Sequence, residues 1–95
     1  MPGTVGDVTV LIDPAMWPRH GTLWGHLVSD ASLDELHDFA RRAGIPERGF
    51  DRDHYDYPAD RYAELVALGA VPVSDGELVR RLRASGLRVP ARERR

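Results

Sequence analysis

Between Phe50 and Tyr57 the chain reads Phe-Asp-Arg-Asp-His-Tyr-Asp-Tyr, which packs three carboxylates and an imidazole into six positions flanked by aromatics. An extended backbone sends successive side chains to opposite faces. Phe50, Arg52, His54 and Asp56 then share one face, and Asp51, Asp53 and Tyr55 the other. His54 and Asp56 stand about 7 Å apart at roughly 3.3 Å per residue. That spacing suits an imidazole–carboxylate hydrogen bond or two ligands of one metal. Asp51 and Asp53 read instead as a solvated acidic run at the end of a strand.

Two other segments offer like chemistry. Asp13 falls at the carboxyl end of an apolar run, Val8–Ile12, and Pro14 follows it. Ligand sites gather at such strand ends in open α/β sheets, although a plain turn aspartate fits there equally well. His26 and Asp30 are four residues apart and so share a face in a helix and in a strand alike. Thr22–Ser29 fits either a short strand or one to two helical turns, and His20 joins His26 only if it is extended. Asp13, His26, Asp30, His54 and Asp56 together offer two imidazoles and three carboxylates. Zn²⁺ and Mn²⁺ accept such a mixed set, whereas Mg²⁺ and Ca²⁺ prefer oxygen alone. A metal held there would activate water and polarise a phosphoryl oxygen, with His54, Asp56 and His26 as the catalytic groups. No His-Glu-x-x-His or paired-histidine motif accompanies them.

The elements that must position these groups are marked by caps and glycine stops. Asp7–Asp13 reads as a buried strand. Ser32-Leu33-Asp34-Glu35 is a capping box that opens a helix to about Ala43, with Leu33, Leu36, Phe39, Ala40 and Ala43 as its apolar stripe. His37 borders that stripe, and Gly44 ends the helix. Pro58 opens a second helix that buries Tyr62, Leu65 and Val66 and stops at Gly69. Ala70–Val73 is a short strand, favoured at an edge by its proline. Ser74-Asp75-Gly76-Glu77 caps a third helix that buries Leu78, Val79 and Leu82, shows Arg80, Arg81 and Arg83 to solvent, and ends at Gly86. Leu87–Val89 reads as a last strand. The expectation is a small single-domain α/β fold, a mostly parallel sheet of three to four short strands with about three helices. Residues 1–6 read as a disordered N-terminus, 7–90 as the domain and 91–95 as a basic tail.

Ninety-five residues with 42% hydrophobic and 29% charged composition suit one domain with a modest core. There is no cysteine, which excludes disulfides, thiolate metal sites and a cysteine nucleophile, and fits a cytoplasmic location. No apolar run is long enough for a signal peptide or a membrane span. All 13 basic residues are arginine, and the net charge of −2 conceals an asymmetry. Residues 80–95 carry seven arginines against one glutamate, a net +6, whereas residues 1–79 carry six against fourteen acids, a net −8. A basic pole on an acidic body offers a handle for nucleic acid or another phosphate-bearing partner. A solvated helix face followed by a frayed tail accounts for it equally.

In order along the chain stand Val10-Leu11-Ile12-Asp13, His26-Leu27-Val28-Ser29-Asp30, Glu35-Leu36-His37-Asp38-Phe39-Ala40, His54-Tyr55-Asp56, Arg61, Gly69-Ala70-Val71 and Glu77-Leu78-Val79-Arg80-Arg81-Leu82. Over residues 8–89 this ordered set resembles a bacterial and phage family known as domain of unknown function family 4031. The resemblance implies a single small domain and no mechanism. Three functional readings follow from the residues. One is a metal-dependent phosphoester or nucleic-acid hydrolase built on the histidines and aspartates. Another is a non-catalytic adaptor that holds an anionic partner on the basic C-terminal helix. In the third, the His–Asp pairs are satisfied polar groups of a scaffold.

Overall fold

Val10-Leu11-Ile12 is apolar at every position, and in the computed structural model, which describes residues 9–89, it forms a strand buried on both faces, β1 (Val10–Ile12). β2 (Trp17–Arg19) and β3 (Thr22–Ser29) follow, joined by a tight turn in which His20 and Gly21 take positive φ of 52° and 80°. Thr22–Ser29 is therefore a strand and not a helix. β1 and β2 lie end to end along one side of β3, both antiparallel to it. Pro14 breaks the ladder between them, since it has no N–H to give. Asp13 N still donates to His26 O at 3.2 Å, and Met16 N to Trp24 O at 3.0 Å.

The other side of β3 pairs with β5 (His54–Pro58), which pairs in turn with β4 (Phe50–Asp51). β6 (Val71–Pro72) runs parallel to β1. The sheet has six strands in the order β4-β5-β3-β1-β6, with β2 beside β3. The expected mostly parallel sheet is corrected: it is mixed and mostly antiparallel, and β1–β6 is its only parallel pairing among the described residues. Short connections can only join antiparallel neighbours, and the turns at His20-Gly21 and Arg52-Asp53 are both of that kind. One helix alone feeds a parallel strand, the one before β6.

α1 (Leu33–Ala43) and α3 (Asp75–Ser85) start and stop where the caps place them. Ser32 Oγ accepts from Glu35 N at 3.1 Å and Ser74 Oγ from Glu77 N at 3.0 Å, while Gly44 and Gly86 end the helices at φ of 75° and 84°. The glutamate halves of the boxes are used differently. Glu35 accepts from Ser29 Oγ at 2.8 Å and from Thr9, whereas Glu77 pairs with Arg80. Pro58 does not open a helix. It ends β5, and a 3₁₀ turn at Ala59–Arg61 leads into α2 (Tyr62–Ala67). Leu87–Val89 forms no strand. The expected N-terminal disorder and basic tail lie outside the described residues.

Ser32→Ala and Ser74→Ala are each expected to destabilise the fold by about 1 kcal/mol through loss of one capping acceptor. Chemical denaturation of the single variants measures this, and an unchanged midpoint would show the hydroxyl to be dispensable.

The helices cover the two faces of the sheet unequally. Val10, Ile12, Leu27, Tyr55 and Tyr57 pack with Leu36, Phe39, Ala40 and Leu65 of α1 and α2. Leu11 and Val28 meet Leu78 and Leu82 of α3 on the opposite face. α3 thus covers the stretch over β1 and the end of β3. Farther along that face β3 and β5 present half-buried His26, His54 and Asp56, in alternation with the buried residues beneath. No helix of the described residues is long and apolar enough to cross a membrane.

Candidate functional site

The register of β3 on β5 sets His26 directly opposite Asp56. His54 lies two residues before Asp56, so all three side chains emerge on one face. One potential ligand atom from each lies within 4.8 Å of the others. The two imidazole rings stand 5.2 Å apart, edge to face.

Each imidazole is held from behind by a buried carboxylate. His26 Nδ1 is 2.9 Å from Asp13 Oδ2, and His54 Nδ1 is 2.7 Å from Asp53 Oδ1. Asp13 is 2% exposed and Asp53 0%. Ionised carboxylates only accept hydrogen bonds, so both Nδ1 atoms donate and both Nε2 atoms are left for the open face. Asp13 holds its place because Pro14 interrupts the ladder there. Its Oδ1 takes the His26 backbone N–H at 2.6 Å, and its own carbonyl accepts from the buried Tyr57 hydroxyl at 2.5 Å. Burial, together with the Asp13 charge, pushes the Tyr57 phenol far above its ordinary value and keeps it a donor.

Residues 50–56 are not one continuous strand. The chain turns at Arg52, which has a φ of 61°, and β4 folds back on β5. Two expectations change as a result. Asp53 is no solvated acid: it is wholly buried and accepts from His54 Nδ1, from Val89 N at 2.8 Å and from Arg88 Nη1 at 3.3 Å. Asp51 pairs across the hairpin with His54 and so joins its side of the sheet, although its carboxylate is half exposed and bridged to Arg52 at 3.1 Å.

Asp56 faces Arg19 and His54. Its Oδ2 lies 3.5 Å from Arg19 Nη2. Its Oδ1 lies 3.2 Å from His54 Nε2, yet that buried oxygen has no aligned hydrogen-bond partner among the described residues. Burial by itself lowers the His54 pKa, but the contacts and charges of Asp56 and Asp53 outweigh it and hold the imidazole above its ordinary 6.5.

Of the five residues counted as ligands in the sequence, His26, His54 and Asp56 converge, and Asp13 stands behind His26. Asp30 is directed elsewhere. It bridges Arg81 at 2.7 Å and ties the end of β3 to α3. Arg80 is paired with Glu77, and Arg83 is exposed. Two of the three arginines counted as an anion handle therefore already face carboxylates. His37 donates to or accepts from the Tyr55 hydroxyl at 2.7 Å, and His20 sits exposed in the β2–β3 turn. Between the histidines and α3 lies a cleft of about 230 Å³, walled by Val28, Leu78, Val79 and Leu82, with Asp53 and Arg88 at its polar side.

The sequence offered no signal for Asp53, Arg19 or Arg88 beyond their charge. Trp17 and Trp24 are paired across β2 and β3 and also share this face. A family model described as protein of unknown function (DUF4031) matches residues 10–85, which include Asp13, His26, Asp53, His54 and Asp56. No curated protein and no solved structure matches the chain.

Proposed function

The chain belongs to the DUF4031 family, and from the site it carries we propose that it binds Zn²⁺ or Mn²⁺ through His26, His54 and Asp56 and uses the ion to hydrolyse phosphoesters. The observation that carries this is the pair His54 Nε2 and Asp56 Oδ1. With its Nδ1–H given to Asp53, His54 in its neutral form turns a lone pair toward a carboxylate oxygen 3.2 Å away that has no aligned donor among the described residues. Two acceptors at that distance repel unless a cation lies between them. A proton serves at low pH. At higher pH the nearby second histidine completes a set of two imidazoles and one carboxylate, which suits a transition metal. The buried Asp13 and Asp53 orient the rings as outer-shell carboxylates do around metal-bound histidines.

A divalent ion in this place supplies Lewis-acid polarisation of a phosphoryl oxygen and an acidified water. The chain's own residues do the rest: Arg19 puts a guanidinium beside Asp56, where it can take phosphoryl charge, and the α3 cleft shields one side from water. The test is release of p-nitrophenolate from bis(p-nitrophenyl) phosphate. Turnover should require Zn²⁺ or Mn²⁺, stop with chelator and vanish in His54→Ala. Asp53→Asn, which weakens the support of His54 along with the contacts to Arg88 and Val89, should lower it by roughly 10–100-fold. Absence of metal-dependent release with either ion would end the hydrolase reading.

A further inference from the structure

We propose that the substrate is a nucleotide unit whose base lodges in the hollow beside Asp56, a specificity that rests on the phosphoester reading above. Asp56 is the junction. On one side it meets His54; on the other it lines a second hollow of about 250 Å³, with Trp24, Ile45, Pro46, Pro58 and Arg61 around it. That volume lies below the usual range for drug-sized ligands, roughly 300–1,000 Å³, and suits one ring system. Its lining is mostly apolar, with two aromatic rings, Trp24 and Tyr57, and two proline rings. A flat, weakly polar group fits such walls, and the phosphate attached to it would lie toward the histidines.

Trp24 is fixed before any ligand arrives. Its Nε1 donates to Arg19 O at 2.8 Å, and its ring stacks on Trp17 with centroids 6.3 Å apart. The Arg19 guanidinium lies over both rings, 4.9 Å from the Trp17 centroid and 5.5 Å from that of Trp24, and also reaches Asp56. It thus spans the distance from aromatic shelf to metal ligand, where a nucleotide places its phosphate. Trp17 adds a buried Nε1–H with no acceptor among the described residues, in a ring 5.6 Å from that of His26. A rigid aromatic surface, an arginine held across it and phosphate chemistry alongside are the parts from which base-stacking sites are made.

Calorimetric titration with AMP and with ribose 5-phosphate, both in the presence of Zn²⁺, separates base from phosphate recognition. AMP should bind at least about tenfold more tightly, the scale of one base stack. Trp24→Ala should abolish that preference, and so should Pro46→Trp, which fills the hollow from an exposed loop position and leaves the core untouched. Tryptophan fluorescence gives a second readout, because Trp24 lines the hollow and Trp17, the other tryptophan of the chain, stacks on it. Equal binding of the two ligands, or a preference that survives both variants, overturns the base site. A parallel titration with Zn²⁺ alone keeps the two proposals apart. Zn²⁺ binding without AMP preference removes the base site only. AMP preference without Zn²⁺ binding upholds the base site and removes the metal reading. A single-stranded adenine trinucleotide that binds like AMP identifies the free nucleotide as ligand, and one that binds tenfold more tightly identifies a strand; either upholds the base site.

Discussion

Zn²⁺ or Mn²⁺ is expected to raise the melting temperature of this chain by roughly 10 °C or more at about pH 8. A ligand specific to the folded state at 100 times its dissociation constant contributes about 2.7 kcal/mol. In a domain of this size each kcal/mol moves the midpoint by roughly 4–8 °C. The rise is lost in His26→Ala, His54→Ala and Asp56→Ala. It persists in Asp30→Asn, which lowers the metal-free midpoint through the bridge to Arg81 but touches none of the three ligands. Its dependence on pH follows from His54. The folded pKa of that imidazole is raised above 6.5 by Asp56 and Asp53 against the pull of burial. Its protonated form therefore stabilises the metal-free fold fully below about pH 6.5, and that contribution fades as pH climbs through the raised value. Around it stand Asp51 opposite, Arg88 and Arg19 beyond the two aspartates, and the second imidazole, His26. The ion needs the neutral ring, so its effect runs the other way: absent below about pH 6.5 and growing through the same window. Differential scanning fluorimetry at several pH values follows both trends at once. A flat response to both metals at about pH 8, or a shift that survives His54→Ala, would show that the three residues are not ligands.

The parts legible in the sequence were those with local causes. Ser32, Ser74, Gly44 and Gly86 act within one turn of their own helix, so their roles can be read without knowing the fold. Val10-Leu11-Ile12 is apolar throughout because helices pack on both its faces. What depends on register could not be read in this way. His26 and Asp56 were named from separate segments, but that they oppose each other follows from the pairing of β3 with β5, which nothing local encodes. Strict alternation through residues 50–56 puts Asp53 on an exposed face, and the turn at Arg52 buries it instead. Arg52 occupies a left-handed conformation without being glycine or asparagine, so no turn signal marked it. The same absence of an Asn-Gly or Asp-Gly turn pair left the β4–β5 hairpin unseen and favoured the parallel sheet. Asp30 shares its spacing with His26, but β3 ends at Ser29, and Asp30 lies beyond the last strand residue within reach of Arg81. The pairing of Trp17 with Trp24 has no local signal, because β2 is three residues long and centred on a proline.

Gly25→Ala is expected to cost about 3 kcal/mol, although its backbone has an ordinary conformation and the change adds one methyl group. Gly25 pairs across the strands with Tyr57, whose ring lies over it. A Cβ at this position would fall 2.6 Å from Tyr57 Cε1 and 2.7 Å from the hydroxyl. Tyr57 is completely buried, and its hydroxyl is tied to the Asp13 carbonyl, so the ring cannot shift without breaking that bond. Overpacking of this kind costs roughly 1–3 kcal/mol, and pulling the hydroxyl off the Asp13 carbonyl adds about 1–3 kcal/mol for a buried unsatisfied group. The damage should reach the proposed metal ligands. The carbonyl that Tyr57 holds belongs to the residue whose carboxylate orients His26, so the metal-induced rise in melting temperature should shrink along with stability. Tyr57→Phe is the control: it removes the hydroxyl but keeps the ring, and should cost about 1–2 kcal/mol. In a Tyr57→Leu background the added methyl group has no ring to meet, so Gly25→Ala should lose most of its cost, a strong departure from additivity. Urea denaturation of the four variants measures it. A Gly25→Ala protein that unfolds with the parent, or a cost unchanged by Tyr57→Leu, would mean that the ring does not hold Gly25 in place and that Asp13 is fixed by its hydrogen bonds to His26 alone.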